Sequence, residues 1–308
     1  MKRFCYTFLA LMALSMLLPL SARADDNSRA KHVIWLGLDG WAGYCFDDTA
    51  KVEMPNIRAL MAQGAWTANA RSVLPTISGA NWPAMFSGVS PALHGYQGNE
   101  LKPKVEPIYR NEHGTYPTIF HVLRQARPDA EIGVIAEWGQ IPMYVDTICC
   151  SHVECVKGWD KDPMGMKSVN ILINYIKEKK PELVFFHNDQ IDHAGHSYGH
   201  RTEKYFHWVE IVDKQIPLII QATKDAGIYD DCVFILQADH GGKNYGHGGL
   251  SRDEYRVPIV IFGKGIKKGF EITDVTQNLD ITATIAHILG LKEPKCWRSK
   301  LIDTAFEE

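Results

Sequence analysis

The stretch Cys232 to Gly242, "CVFILQADHGG", runs from an unbroken apolar segment directly into an acid, an imidazole and two glycines. A β-rich run that is continuous rather than alternating marks a strand covered on both faces. Four other stretches share this character: "HVIWLGLD" (32–39), "EIGVIAEW" (131–138), "ELVFFHND" (182–189) and "VPIVIFG" (257–263). Between them lie segments with helical patterning. These are "MPNIRALMAQG", ending in Gly64; "YPTIFHVLRQ"; "MKSVNILINYIKEKK"; "TEKYFHWVEIVDKQIPLIIQATKDAG", ending in Gly227; and "LDITATIAHILG", ending in Gly290. The closing glycines are helix-stop signals. Strands alternating with helices predict an α/β sandwich around a mostly parallel sheet. Residues 100–117 and 139–165 carry the least pattern, so loops or a small lid are expected within 100–165.

The chain has 308 residues, of which 45% are hydrophobic and 22% charged. That length suits one large domain, and burial alone can stabilise it. The first residues read separately. Lys2 and Arg3 precede an apolar run to Leu20, followed by Ala22-Arg23-Ala24, a small-x-small cleavage pattern. This predicts a signal peptide over 1–24 and an exported, periplasmic or secreted domain over 25–308. An uncleaved anchor is the alternative, disfavoured by the short run. Loss of Lys2, Arg3 and Arg23 would take the formal charge from −3 to −6. A mildly acidic chain without a basic cluster is not built to bind a nucleic-acid polymer, and with the leader removed no membrane contact is expected. Export permits disulfides among Cys45, Cys149, Cys150, Cys155, Cys232 and Cys296. A local bridge involving Cys155 is expected, whereas Cys232 opens an apolar strand and packs there.

In parallel sheets the ligand sits at the carboxyl ends of the strands. Asp39 ends the first strand, Asp189 and Asp192 follow the third, and Asp239 and His240 end the fourth. Four carboxylates gathered there repel one another unless a cation lies between them. Asp192 and His196 are four apart, on one face of a helical turn, and His247 follows His240 in a glycine-rich loop. Aspartate oxygens and histidine nitrogens suit divalent zinc. Taken singly, His113, His152, His193 and His200 read as solvated.

The ordered set Asp39, Asp192-x-x-Gly195-His196, Asp239-His240 and His247 resembles the alkaline phosphatase superfamily, in particular its type I phosphodiesterase and nucleotide pyrophosphatase branch. The resemblance spans most of the chain after the leader. It implies an alkaline phosphatase-like three-layer fold and two divalent metal ions, zinc by ligand type. Asp192, His196 and His247 would hold one ion; Asp39, Asp239, His240 and the nucleophile would hold the other.

The branch pattern Pro-Thr-x-Thr-x-x-Asn falls on Pro75-Thr76-Ile77-Ser78-Gly79-Ala80-Asn81, so the resemblance makes Ser78 the nucleophile where the branch has threonine. A phosphate-binding Asn 21 residues on is matched by Asn99. Thr76 then supports the turn, and Asn81 caps or braces the loop. Metal coordination activates a serine hydroxyl. The Gly79 amide and Asn99 would stabilise charge on non-bridging phosphoryl oxygens. A helix after Ser78 would place backbone donors near phosphate, although Pro83 belongs only in a first turn. Trp82 and Tyr96 are candidate substrate contacts, and Phe86 and Trp138 could also stack a base.

The expected enzyme is a metal-dependent phosphoric ester hydrolase working through a phosphoseryl intermediate on a small-molecule phosphate ester, a nucleotide being one candidate. Phosphodiesterase is favoured. Phosphomonoesterase is the alternative, for which Lys102, Lys104 or Arg110 would meet the extra charge. A sulfatase is disfavoured because Trp82 stands where its motif needs arginine. A cytoplasmic-type phosphomutase and an inactive binding protein on the same scaffold rank lower.

Overall fold

The structure, a computed structural model, describes residues 29–308; the expected signal peptide lies outside them. Eight strands form one sheet: β1 (His32–Leu38), β2 (Gly64–Arg71), β3 (Ile132–Ala136), β4 (His152–Cys155), β5 (Leu183–Asn188), β6 (Cys232–Gln237), β7 (Arg256–Gly263) and β8 (Phe270–Glu271). Their order is β4-β3-β5-β1-β6-β7-β2-β8. The neighbours from β4 to β6 pair in parallel, as do β2 and β8. β7 runs antiparallel to both β6 and β2, which corrects the parallel expectation for "VPIVIFG". Pro258 lies in β7, and the β2–β7 register shifts opposite it, between Thr67 and Ala70. A residue without an N–H breaks the ladder there.

β3, β5 and β6 are buried throughout. Sheets buried on both faces need helices on both, and the helices pack as two groups. One comprises α1 (Pro55–Gln63), α6 (Met166–Lys179), α7 (Gln190–Tyr198) and α8 (Glu203–Asp225). The other comprises α2 (Ser78–Ser87), the single turn α3 (Pro91–His94), α4 (Ile119–Ala126), the single turn α5 (Ile141–Tyr144) and α10 (Ile281–Ile288), while the single turn α9 (Arg252–Tyr255) leads into β7. This is the expected alkaline phosphatase-like α/β sandwich. The stretch 139–165 is more regular than expected, holding α5 and β4. All six cysteines from Cys45 to Cys296 are free thiols, so the bridge expected at Cys155 is not formed. No helix among the described residues is long and apolar enough to cross a membrane.

Two features position the site. The β1–β6 register aligns Gly37 with Gln237, so Asp39 and Asp239 leave the sheet side by side. α2 is buried along its whole length. An aromatic cluster anchors it, with Phe86 5.6 Å from Trp35, 4.9 Å from Phe185 and 5.4 Å from Phe120 between ring centres.

Candidate active site

The carboxyl ends of β1, β5 and β6 deliver Asp39, Asp189 and Asp239, and α7 adds Asp192 and His196 from one face of its first two turns. Asp192 Oδ2 lies 3.2 Å from His196 Nε2, and its Oδ1 is 3.8 Å from His247 Nε2. His240 Nε2 lies 3.2 Å from Asp239 Oδ2 and 3.5 Å from Asp39 Oδ1. The imidazoles of His240 and His247 stack at 3.7 Å. Thus Asp39, Asp192, His196, Asp239, His240 and His247 converge as expected.

Their hydrogen bonds define what the cluster can hold. Each histidine uses Nδ1 on a backbone carbonyl: His196 on Tyr245 at 2.9 Å, His240 on Gly241 at 2.8 Å and His247 on Thr76 at 2.8 Å. Nδ1 must donate there, so a neutral ring turns a bare Nε2 lone pair inward. His196 Nε2 and His247 Nε2 face each other at 3.1 Å. Asp39 Oδ1, Asp192 Oδ1 and Asp239 Oδ2 are buried without a hydrogen-bond partner. Inward lone pairs and orphaned carboxylate oxygens are a donor set that could hold a divalent cation. Two triads, Asp192/His240/His247 and Asp39/Asp239/His240, each bring their ligand atoms within 4.8 Å of one another. Electrostatics agree. Burial, with Asp39 and Asp192 beside it, drives Asp239 well above the ordinary carboxylate range. Burial also pushes Asp192 up, but its bond to His196 and the nearby His240 and His247 hold it below that range. The same bond raises His196 to about 9, so a cation at its Nε2 has to displace a proton, while burial lowers His240 to about 4.

Ser78 opens α2, and its Oγ lies 3.0 Å from His240 Nε2. Because His240 Nε2 is bare, the serine hydroxyl donates. Thr76 points elsewhere: its Oγ1 donates to the Gly249 carbonyl and accepts from the Gly248 amide, both at 2.9 Å. Thr76 therefore ties the Ser78 loop to the loop carrying His247. Asn81 braces the same turn. Its Nδ2 meets the carbonyls of Val73, Pro75 and Ile77, and its Oδ1 accepts from the Val73 amide and Asn278 Nδ2.

Two expectations change. The Gly79 amide does not face the cleft; it donates to Asn99 Oδ1 at 2.8 Å. That bond fixes the Asn99 flip and leaves Nδ2 as the donor for a ligand. A Cβ on Gly79 would come within 2.0 Å of the Gly98 carbonyl, so the cradle requires glycine. Trp82 is fully buried and donates Nε1–H to Asp39 Oδ2 at 3.1 Å, so it offers no substrate surface. Tyr96 is half-buried in an aromatic wall, 5.0 Å from Tyr144, which in turn is 5.8 Å from Trp138. The Tyr144 hydroxyl lies beside Gly79.

Sequence reasoning missed His187, which also meets Asp39 Oδ2, at 2.9 Å. Its signal was a histidine inside an otherwise apolar strand. His200, expected in solvent, is buried against Gly195 and Gly242, with Nδ1 3.4 Å from the Tyr44 hydroxyl. Behind His187, Glu137 is pushed up to about 7 by burial and receives the Asp189 amide and Gln190 Nε2. A second cluster, His113/Asp146/Cys149, is a closed hydrogen-bond knot: Asp146 Oδ2 accepts from Asn111, Thr115 and His113.

The profile of the type I phosphodiesterase / nucleotide pyrophosphatase family matches residues 33–251. GPI ethanolamine phosphate transferase 1 of Saccharomyces cerevisiae is 23% identical over 275 residues, 78% of this chain and 29% of that protein. Phosphopentomutase of Clostridioides difficile is 34% identical over 133 residues, 42% of this chain and 32% of that protein. The chain thus spans less than a third of the length of either relative. Human ectonucleotide pyrophosphatase / phosphodiesterase 5 superposes with a TM-score of 0.73 at 13% identity, covering 90% of this chain and 100% of that one, a likeness of fold. With a match over more than half its length and the site above in the expected order, the chain belongs to the type I phosphodiesterase / nucleotide pyrophosphatase family.

Proposed function

We propose that this chain is an exported, metal-dependent phosphodiesterase that cleaves a small phosphate diester, a nucleotide or related pyrophosphate, through Ser78. The observation that carries the proposal is the Ser78 hydroxyl poised 3.0 Å from His240 Nε2 beside carboxylate oxygens that have no hydrogen-bond partner. Asp192, His196 and His247 would hold one divalent ion, and Asp39, Asp239, His240 and Ser78 the other. When bound, such ions lower the pKa of the serine hydroxyl and of water and neutralise phosphoryl charge.

The residues themselves do the rest. If His240 gives its Nε2 lone pair to the ion, it cannot also take the serine proton, so its role would be to hold the cation beside the Ser78 Oγ. Ser78 Oγ forms the new bond to phosphorus as the bond to the leaving oxygen breaks, and the leaving group departs as an alcohol or phosphate. Water then cleaves the seryl phosphate ester and regenerates Ser78. Asn99 Nδ2 donates to a non-bridging oxygen as charge develops.

Diester preference rests on the cations. Among the described residues, no Lys or Arg forms an ion pair with Asp39, Asp192 or Asp239. Arg110 pairs instead with Glu106 at 2.9 Å, and Lys102 and Lys104 are exposed. Arg110 lines the pocket that Tyr96 and Tyr144 also line, but its charge is already offset by Glu106, which favours a diester over a doubly charged monoester. The Tyr96–Tyr144–Trp138 wall would receive a planar leaving group or base.

The test compares zinc-loaded protein on a nitrophenyl phosphate monoester, a bis-nitrophenyl diester and the nitrophenyl ester of thymidine monophosphate. The proposal expects kcat/KM at least tenfold higher for the diesters, abolished in Ser78→Ala. A monoester preference would make the chain a phosphatase. Transfer to an added alcohol in place of hydrolysis would point to the transferase chemistry that one relative's name describes.

A further inference from the structure

Asp39 receives two buried donors on the same oxygen. Trp82 Nε1 donates to Oδ2 at 3.1 Å, and His187 Nε2 meets Oδ2 at 2.9 Å. The His187 tautomer is set from behind, where the Trp138 amide points at Nδ1 at 3.5 Å, so Nε2 carries the proton. Oδ1 of the same carboxylate, also buried, meets no donor. From this asymmetry we infer that His187 and Trp82 are positioning residues: they saturate Oδ2 and fix the Asp39 carboxylate so that Oδ1 alone is presented to a cation shared with Asp239 and His240. The inference rests on the metal-binding reading of the cluster, not on the identity of the substrate.

The sheet is built to deliver both donors. β1 and β5 pair Trp35 with Phe185 and Gly37 with His187. Side chains two apart share a face, so the face that carries Trp35 and Phe185 also carries His187 and, one step beyond, Asp39. Gly37 leaves that face open. A Cβ there would lie 2.6 Å from Trp82 Cη2, so the indole lies across the glycine and reaches Asp39. Trp82 then packs edge-on against His187, ring centres 5.1 Å apart, and against Phe185 at 5.3 Å. Neither donor is exposed: His187 and Trp82 are both fully buried. Partners that orient a metal-binding carboxylate act on affinity, and their loss costs about 10- to 100-fold.

The experiment titrates metal-free protein with zinc against a chromophoric chelator, without substrate. A His247→Ala background retains the Asp39/Asp239/His240 site, and an Asp239→Asn background retains the Asp192/His196/His247 site. In the first, Trp82→Phe and His187→Phe should each weaken zinc binding by about 10- to 100-fold, and His187→Gln, which keeps a donor near the Nε2 position, should bring affinity back to within about threefold. In the second, affinity should not move. Near-ultraviolet circular dichroism checks folding; if His187→Phe fails to fold, Trp82→Phe and His187→Gln carry the test. Unchanged affinity in the first background, or equal losses in both, would overturn the inference. So would a wild-type stoichiometry of three zinc ions falling to two in His187→Gln, which would make His187 a ligand. Failure of the wild type to bind zinc would instead sink the metal reading beneath it.

Discussion

At the scale of single residues, the site is a set of decisions about which atom keeps its proton. His196, His240 and His247 each surrender Nδ1–H to a main-chain carbonyl, and Asn99 surrenders Oδ1 to the Gly79 amide. Each leaves one defined atom facing inward. Two kinetic consequences follow. Ser78→Ala should lower kcat by at least about 10³-fold while zinc stoichiometry is kept, measured by initial rates and metal analysis on one preparation. Asn99→Ala should lower kcat by about 10²-fold, the usual loss for one transition-state donor, with little change in KM. A third residue speaks to stability. His94 is buried, with Nε2 on the Ala80 carbonyl and Nδ1 accepting the Tyr96 amide, and burial lowers it to about 3. The unfolded chain binds a proton at this histidine below about pH 6.5 and the folded chain does not, so stability falls as pH drops from there toward 3. The limiting slope is about 1.4 kcal/mol per pH unit. His94→Gln should flatten that part of the profile in urea titrations from pH 6.5 to 4.5; an unchanged slope would refute the assignment.

At the scale of elements, the long apolar strands were legible in the sequence, and the short or polar ones, β2, β4 and β8, were not. β1, β5 and β6 are continuous apolar runs because helices cover both faces; Asp39 follows β1 directly, and Asp239 follows β6 after Ala238. β2, "GAWTANAR", is rich in alanine and polar residues, so neither period stands out, and β8 has only two residues. The direction of β7 was not legible either, since pairing depends on neighbours distant in sequence. α2 is the instructive case. Pro83 sits inside it, where proline usually breaks a helix. Complete burial of the segment and the Asn81 brace hold the helix nevertheless. Asn81→Ala should therefore destabilise the fold by about 2–4 kcal/mol, because it strands several buried main-chain groups at once, as read by denaturant midpoint at constant slope. The convergence of Asp39, Asp192, His196, Asp239, His240 and His247 was legible from order and spacing. His187 was not, because a lone buried histidine in a strand has no partner visible in sequence.

At the scale of the whole molecule, the parallel half of the sheet brings Asp39, Asp189 and Asp239 to one edge, and helices α2 and α7 close over it with Ser78, Asp192 and His196. Such a concentration of buried acid opposes folding until a cation neutralises it. Chelation should lower the midpoint of thermal unfolding, and zinc at about a thousand times its dissociation constant should restore about 4 kcal/mol, measured by calorimetry. An unfolding midpoint indifferent to chelator would argue that the cluster is satisfied by protons alone. The central claim, that Ser78 is the attacking group, is tested most directly by acid-quenching zinc-loaded protein during turnover of a diester and weighing its peptides. The account predicts an ester phosphate adduct on Ser78, absent from Ser78→Ala. An adduct on Thr76, or full turnover by Ser78→Ala, would contradict it.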